Sequence, residues 1–212
     1  MTTLQTALRD GAGFLEASGI QDAYFEARCL LLHTRGIELA HLYSYPERLL
    51  TPAETSALKL ALAQRADGQP AAYIASKREF YGLEFHVDPR VLIPRPETEL
   101  VVEKALDYTV TRGGELTIAD VGTGSGVIAV TLARNLPLAN LFAVDISEDA
   151  LEVARLNAAR IGVADRIKFL QGDLVEPLPG PADLITANLP YVPDGDIENL
   201  PKEISRYEPR IA

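Results

Sequence analysis

Between Glu115 and Tyr191, short apolar runs alternate with helical ones, and this alternation limits the fold more than any other feature. LTIADVG, NLFAVDIS, RIKFLQGD and ADLITANLPY read as strands. SGVIAVTLARNL and EDALEVARLNAARIG read as helices, the second closed by Gly162. Apolar strands that alternate with helices build a parallel sheet covered on both faces. The expected fold class for this part is therefore α/β.

The remainder has a different rhythm. Residues 1–75 read as a bundle of four or five short helices. In QDAYFEARCLLLH, Tyr24, Ala27 and Leu31 share one helical face, with Phe25, Cys29 and Leu32 beside it. Thr51-Pro52-Ala53-Glu54 opens another helix, with Thr51 as cap, Pro52 at the first helical position and Glu54 completing a capping box. Residues 76–96 are rich in aromatic and β-branched residues and read as a hairpin-like linker with a turn at Asp88-Pro89-Arg90. Pro94 and Pro96 impose an extended stretch. A helix follows from Glu97, with Leu100, Val101, Lys104, Ala105 and Tyr108 in register. The third segment, 97–212, carries the strand–helix alternation.

Several function classes are disfavoured. No apolar run reaches the ~20 residues needed to span a bilayer. The opening MTTLQTALRDGAGFLEASG lacks the basic-then-apolar pattern of a signal peptide, so an unexported, cytoplasmic protein is expected. The single cysteine, Cys29, reads as helix core. Net charge is −10, and residues 76–212 hold 22 acidic against 14 basic side chains. Duplex DNA as main partner would call for a basic stripe, so direct nucleic-acid binding is not expected. His33, His41 and His86 show neither metal-ligand spacing nor an acid partner, and no metal site is expected.

ADVGTGSGVIAV places Gly122, Gly124 and Gly126 at the turn from the first of these strands into its helix. Glycine there permits a tight turn and lets a ligand approach the backbone. The spacing is not G-x-G-x-x-G, because Val127 takes the last position, and no Gly-Lys-Ser/Thr of a phosphate-binding loop follows. Asp145 ends the next strand, 23 residues after Gly122, where an acid faces ribose hydroxyls in open α/β sheets. Asp173 ends the strand after that, within reach of an adenine amino group, with Leu174 placed to pack on the ring. Asp145 alone also suits a helix N-terminus, where the dipole favours an acid, and Asp173 alone an ordinary strand-end turn.

DVGTGSG, AVDIS and QGD together resemble the first three motifs of the class I S-adenosylmethionine-dependent methyltransferases. The resemblance implies a Rossmann-like domain with S-adenosyl-L-methionine as cofactor. The loop Gly122-Thr123-Gly124-Ser125-Gly126 would face its methionine part, Asp145 its ribose, and Asp173 and Leu174 its adenine. Arg95 to Thr98 would lie over it.

Asn188-Leu189-Pro190-Tyr191 follows the fourth strand. Asn and Pro are common turn residues, but this position adjoins the glycine loop. An amide nitrogen is a poor nucleophile because its lone pair is delocalised. The Asn188 side-chain oxygen and a backbone carbonyl of the turn can hold a planar NH2 group in line with a transferable methyl. Pro190 would keep residue 189 extended, and Tyr191 would offer a flat face. Catalysis would come mainly from positioning and preorganised dipoles. The tetrapeptide resembles the Asn-Pro-Pro-Tyr motif of amino-group methyltransferases, with Leu189 in place of the first proline.

DGQPAAYI and REFYGLEFHVDPRVLIPRPETE resemble the linker hairpin and following segment of the release-factor glutamine methyltransferases, and the likeness covers nearly the whole chain. It implies methyl transfer to the side-chain N5 of the glutamine in the Gly-Gly-Gln loop of peptide-chain release factors. It also implies a helical N-terminal domain that contacts the release factor, and a monomer. A ribosomal-protein glutamine, a nucleic-acid base, and an inactive fragment stay open as alternatives. Related enzymes continue beyond EISRYEPRIA through further strands, so an incomplete sheet with its fourth strand at an edge is expected.

Overall fold

The computed structural model describes residues 2–193, 195–196 and 200–211, in two compact units, Met1–Ser76 and Lys77–Ala212.

The first unit holds five helices: α1 (Leu4–Ala17), α2 (Ala23–Arg35), α3 (Leu39–Ser44), α4 (Pro52–Ala66) and α5 (Ala71–Ala75). Their core is leucine-rich, with Leu4, Leu8, Leu15, Leu30, Leu31, Leu42, Leu58 and Leu62 buried. The capping box at α4 is formed. Thr51 accepts from the Glu54 N–H, and the Glu54 carboxylate accepts from the Thr51 N–H at 2.7 Å. On α2 the buried residues are Ala27, Leu30 and Leu31, whereas Tyr24 and Phe25 are exposed. The apolar stripe is thus narrower than the spacing suggests. Aromatic residues count as apolar in a periodicity reading, yet these two stand on the water side.

The second unit opens with a hairpin, β1 (Arg78–Phe80) and β2 (Leu83–Phe85). Its turn is Tyr81-Gly82, both with positive φ, the geometry of a two-residue hairpin loop. The Asp88 turn predicted from sequence is present, closed by a Val91 N–H to Asp88 carbonyl bond, but it follows the hairpin and does not close it. Phe80 and Phe85 pack edge to face and are fully buried. His86, read from sequence as lacking an acid partner, has one: its Nε2 lies 3.0 Å from Asp88 Oδ2. Arg90 grips the same carboxylate and holds it well below the usual carboxylate range. A 3-10 turn over Pro96–Thr98 then leads into α6 (Glu99–Arg112), so the regular helix starts two residues later than predicted.

The sheet comprises β3 (Thr117–Val121), β4 (Asn140–Asp145), β5 (Ile167–Gln171) and β6 (Leu184–Ala187), all parallel, in the order β5-β4-β3-β6. Helix α7 (Val127–Asn135) joins β3 to β4, and α8 (Glu148–Ile161) joins β4 to β5. α7 is buried along seven of its nine residues, Val127 to Ala133, which explains its near-continuous apolar sequence. α9 (Lys202–Tyr207) follows β6. Among the described residues β6 pairs with β3 alone, and Ile185 on it is half exposed.

One buried amide ties these layers to the turn after β3. Asn157, on α8, accepts from the His86 N–H at 2.7 Å and donates to the carbonyls of His86 and Ser125, each at 2.9 Å. Asn157→Leu keeps the volume and leaves three backbone groups unpaired, one buried and two part-buried. We expect a loss of about 3 kcal/mol in chemical denaturation, because each orphaned group costs ~1–3 kcal/mol before relaxation.

Candidate functional site

The parallel sheet reverses its direction of growth at β3, which has β4 on one side and β6 on the other. Such a switch point opens a crevice at the carboxyl ends of the strands. The Gly122–Gly126 turn and Asn188 leave the sheet there. Below them the fully buried Asp120 fixes both. Its Oδ2 accepts from the Thr123 hydroxyl at 2.6 Å and the Ala129 N–H at 3.3 Å. Its Oδ1 accepts from the Thr186 hydroxyl at 2.9 Å. One carboxylate therefore joins the glycine turn, the start of α7 and β6. Burial pushes Asp120 up to about 6, against the pull of these donors, and the nearby Asp145 pushes the same way.

Two glycines have a packing reason as well as a backbone one. A Cβ on Gly122 would meet Leu189 Cδ2 at 2.7 Å, and Gly122 has φ +68°. A Cβ on Gly126 would meet Ala154 of α8 at 3.0 Å. Leu189 thus lies across the glycine turn, a contact that Gly122 permits by having no side chain.

A cavity of about 380 Å³ opens above the turn, within the ~300–1,000 Å³ range of small-molecule sites. The loop residues Gly122 to Ser125, Asp145, Asp173, Leu174, Asn188, Leu189 and Pro190 all line it, while Gly126 lies behind, against α8. Asp145 Oδ2 accepts from the Gly124 N–H at 2.9 Å, and its Oδ1 from the Ser147 N–H at 3.0 Å. Each oxygen keeps a second lone pair for an incoming hydroxyl. Leu174 is exposed and holds φ +47°, an uncommon conformation for a non-glycine residue.

A second cavity of about 500 Å³ shares Leu92, Thr98, Asn188, Leu189 and Pro190 with the first. Arg95, Tyr191, Ile204 and Glu208 lie on its far walls. Tyr191 is mostly exposed, with a relative accessibility of 86%. Arg95 Nη2 donates to both oxygens of the buried Glu208, at 2.9 and 2.7 Å. Burial raises the Glu208 carboxyl and the Arg95 charge opposes that rise. Of the Arg95–Thr98 segment, Thr98 borders both cavities, whereas Arg95 and Glu97 border only the second. The Asn188 Nδ2 donates to the Thr98 hydroxyl at 3.3 Å, which leaves Asn188 Oδ1 as an acceptor.

Comparison with known proteins agrees with this architecture. Residues 6–75 match the PrmC N-terminal domain family, and residues 118–207 match the methyltransferase domain family. The release factor glutamine methyltransferase of Chlorobaculum tepidum is 44% identical, over 97% of this chain and 73% of its own length. Its counterparts from Moorella thermoacetica and Koribacter versatilis are 42% and 40% identical, over 99% of this chain and 74% and 75% of theirs. The chain belongs to the release factor glutamine methyltransferase family. It is a methyltransferase, and its sheet is of the class I methyltransferase kind. Among solved structures, an RNA methyltransferase from Salinibacter ruber in complex with S-adenosyl-L-homocysteine is 32% identical, over 51% of this chain and 65% of its own, with a TM-score of 0.40.

Three site features of this family member escaped the sequence reading: Asp120, the Thr98–Asn188 contact and the Arg95–Glu208 pair, although the Arg95–Thr98 segment itself was expected near the cofactor. Asp120 had a usable signal, a single charge inside the otherwise apolar strand LTIADVG. The other two had none, since their partners lie 90 and 113 residues away.

The Asp120 carboxyl has a testable pH signature. Its folded value, about 6, lies above the ordinary 3.8, so the folded state holds the proton more tightly. Its contribution to stability is therefore complete below about pH 4 and is lost as pH rises through 6. The full effect is about 3 kcal/mol at most. Denaturation of the wild type and Asp120→Asn between pH 4 and 7 should show the wild type losing stability relative to the variant over that window. A pH-independent difference would exclude the assignment.

Proposed function

We propose that this protein transfers a methyl group from S-adenosyl-L-methionine to the side-chain amide nitrogen of a release-factor glutamine, the one in its Gly-Gly-Gln loop. The observation that carries this reading is the wall shared by the two cavities. Asn188, Leu189 and Pro190 border both, so a small donor in one and an amide side chain in the other would meet at Asn188.

The first cavity suits the cofactor. Among the described residues, none beyond its chain neighbours lies within 4 Å of where a Gly124 Cβ would stand, so a ligand can lie against the backbone. Asp145 retains acceptor capacity for ribose hydroxyls, and Asp173 with Leu174 offers a carboxylate beside an apolar face for adenine. Asp145 and Asp173 stand on the wall, and Arg90, the one arginine among the described residues that line it, is paired with Asp88 and Glu152, a charge arrangement that suits a cationic ligand. When bound, S-adenosylmethionine supplies a methyl group on a positively charged sulfur.

The protein's own part is to hold the amide. Asn188 Oδ1 accepts one N–H of the substrate NH2 group, and a backbone carbonyl of the Leu189-Pro190 turn accepts the other. These bonds draw electron density toward the nitrogen and aim its lone pair at the first cavity. Leu189, seated on Gly122, forms part of the wall beside the reacting atoms. Positioning of this kind supplies a large share of the barrier reduction in a transfer between two bound groups. Tyr191, at the mouth of the second cavity, offers a face to the peptide around the glutamine.

The helical unit contacts the release factor in this reading. Exposed aromatic residues on that unit, Tyr24, Phe25, Tyr43 and Tyr45, support it, since Tyr and Phe are enriched at protein interfaces. No helix among the described residues is long and apolar enough to cross a membrane. A release factor as substrate places the reaction in the cytoplasm.

Incubation with methyl-labelled S-adenosylmethionine and a release factor tests the proposal. Label should enter the release factor and be lost when its Gly-Gly-Gln glutamine is changed to alanine. Label in DNA or in a ribosomal protein instead would overturn the substrate assignment. Asn188→Ala should lower transfer by at least about a hundredfold, the scale of losing a preorganised hydrogen-bonding group, with cofactor binding retained in calorimetry. Normal turnover in that variant would remove Asn188 from the mechanism.

A further inference from the structure

Threonines before helices in this chain usually spend their hydroxyl on the helix. Thr3 accepts from the Thr6 N–H at 3.1 Å and Thr51 from the Glu54 N–H at 3.2 Å, each with extended backbone at the cap. Thr98 precedes α6 in the same way but makes no such bond. The 3-10 turn leading into it already sets helical angles, φ −68° and ψ −20°, which carry its side chain away from the following N–H groups. Glu99 is also committed elsewhere: its Oε1 accepts from the Tyr81 N–H at 2.8 Å and ties the start of α6 to the hairpin turn. Thr98 is therefore held, with a relative accessibility of 6%, on a braced helix end. Its hydroxyl reaches across 90 residues of sequence to the Asn188 Nδ2.

We infer that Thr98 is a positioning residue for the reaction, and that it acts by orienting the Asn188 carboxamide. The inference rests on the role proposed for Asn188 above. A carboxamide has a donor end and an acceptor end, and a substrate NH2 group can be held only by the acceptor end. With its NH2 group engaged by Thr98, Asn188 presents Oδ1 to the second cavity. Without that hydroxyl the carboxamide is free to rotate, and its NH2 end would face the substrate NH2, donor against donor. Thr98 does not touch the reacting atoms in this account. It lowers the fraction of encounters in which Asn188 is turned the wrong way.

The test compares Thr98→Val, which keeps the shape and removes the hydroxyl, with Thr98→Ser, which keeps the hydroxyl. Single-turnover transfer to a release factor and calorimetric binding of S-adenosyl-L-homocysteine are measured for each. Thr98→Val should lower the transfer rate about five- to tenfold, the scale of one net hydrogen bond, with cofactor-product affinity changed less than twofold. Thr98→Ser should recover the rate to within about threefold of the wild type. In an Asn188→Ala background, Thr98→Val should cause no further loss. A wild-type rate in Thr98→Val, an equal loss in the serine variant, or a rate loss matched by weakened binding would each overturn the inference. So would a full additional loss in the Asn188→Ala background. If Asn188→Ala itself turns over normally, the reading of Asn188 fails, and the inference about Thr98 fails with it. A wild-type rate in Thr98→Val beside an inactive Asn188→Ala defeats the inference alone.

Discussion

The second unit is organised around a carboxylate that water does not reach. Asp120 sits in the central strand β3 with two hydroxyls and one backbone N–H turned toward it. Burying a charge is costly, and that cost is tolerable here because the donors come from three elements that must be held in register anyway. Thr123 fixes the glycine turn, Ala129 the first turn of α7, and Thr186 the neighbouring strand. Asn188 lies two residues beyond Thr186, so its distance from the glycine turn is set through the same carboxylate. The two halves of the site are coupled by sheet pairing and by this one side chain.

A second set of contacts steadies the entrance side. Asn157 pins Ser125 to His86, and Glu99 pins the start of α6 to the hairpin turn. The hairpin contributes two buried phenylalanines to the core beneath α6 and α7. A short two-stranded ribbon has little stability alone, so this one depends on that burial. In return it delivers the segment from Arg90 to Arg95 along the cavity walls. The 3-10 turn over Pro96–Thr98 then sets Thr98 opposite Asn188. The order of the parts in the sequence is thus matched by a chain of physical supports, from hairpin to helix start to site.

Much of this was legible in the sequence, for reasons that can be named. Parallel strands covered on both faces are apolar along their whole length, so β3 and β4 stand out as runs, and the glycines between β3 and α7 announce a turn. The capping box at Thr51 is local and could be read directly. What could not be read depends on distance. The Thr98–Asn188 and Arg95–Glu208 contacts join residues on different elements, and nothing in either neighbourhood signals its partner. Asp88 as partner of His86 was local but hidden, because Asp88-Pro89 reads first as a turn. The exposure of Tyr24 and Phe25 was missed because hydrophobic periodicity cannot separate a residue facing the core from one kept at the surface.

Leu189 stands where the Asn-Pro-Pro-Tyr motif that this tetrapeptide resembles has a proline. A proline at this position would restrict its own backbone, while leucine leaves φ freer. The structure restores restraint by other means. The Leu189 side chain lies on Gly122, so closely that no other residue could stand there without displacing it. Pro190 limits the backbone of residue 189 from the other side. The restraint that a proline ring would supply therefore comes partly from the packing of Leu189 against the glycine turn. That packing has a consequence for how the two cavities communicate. A ligand that moved the glycine turn would move Leu189 with it, and Asn188 directly precedes Leu189 in the chain. The departure from proline replaces a fixed wall with one whose position depends on the turn beneath it.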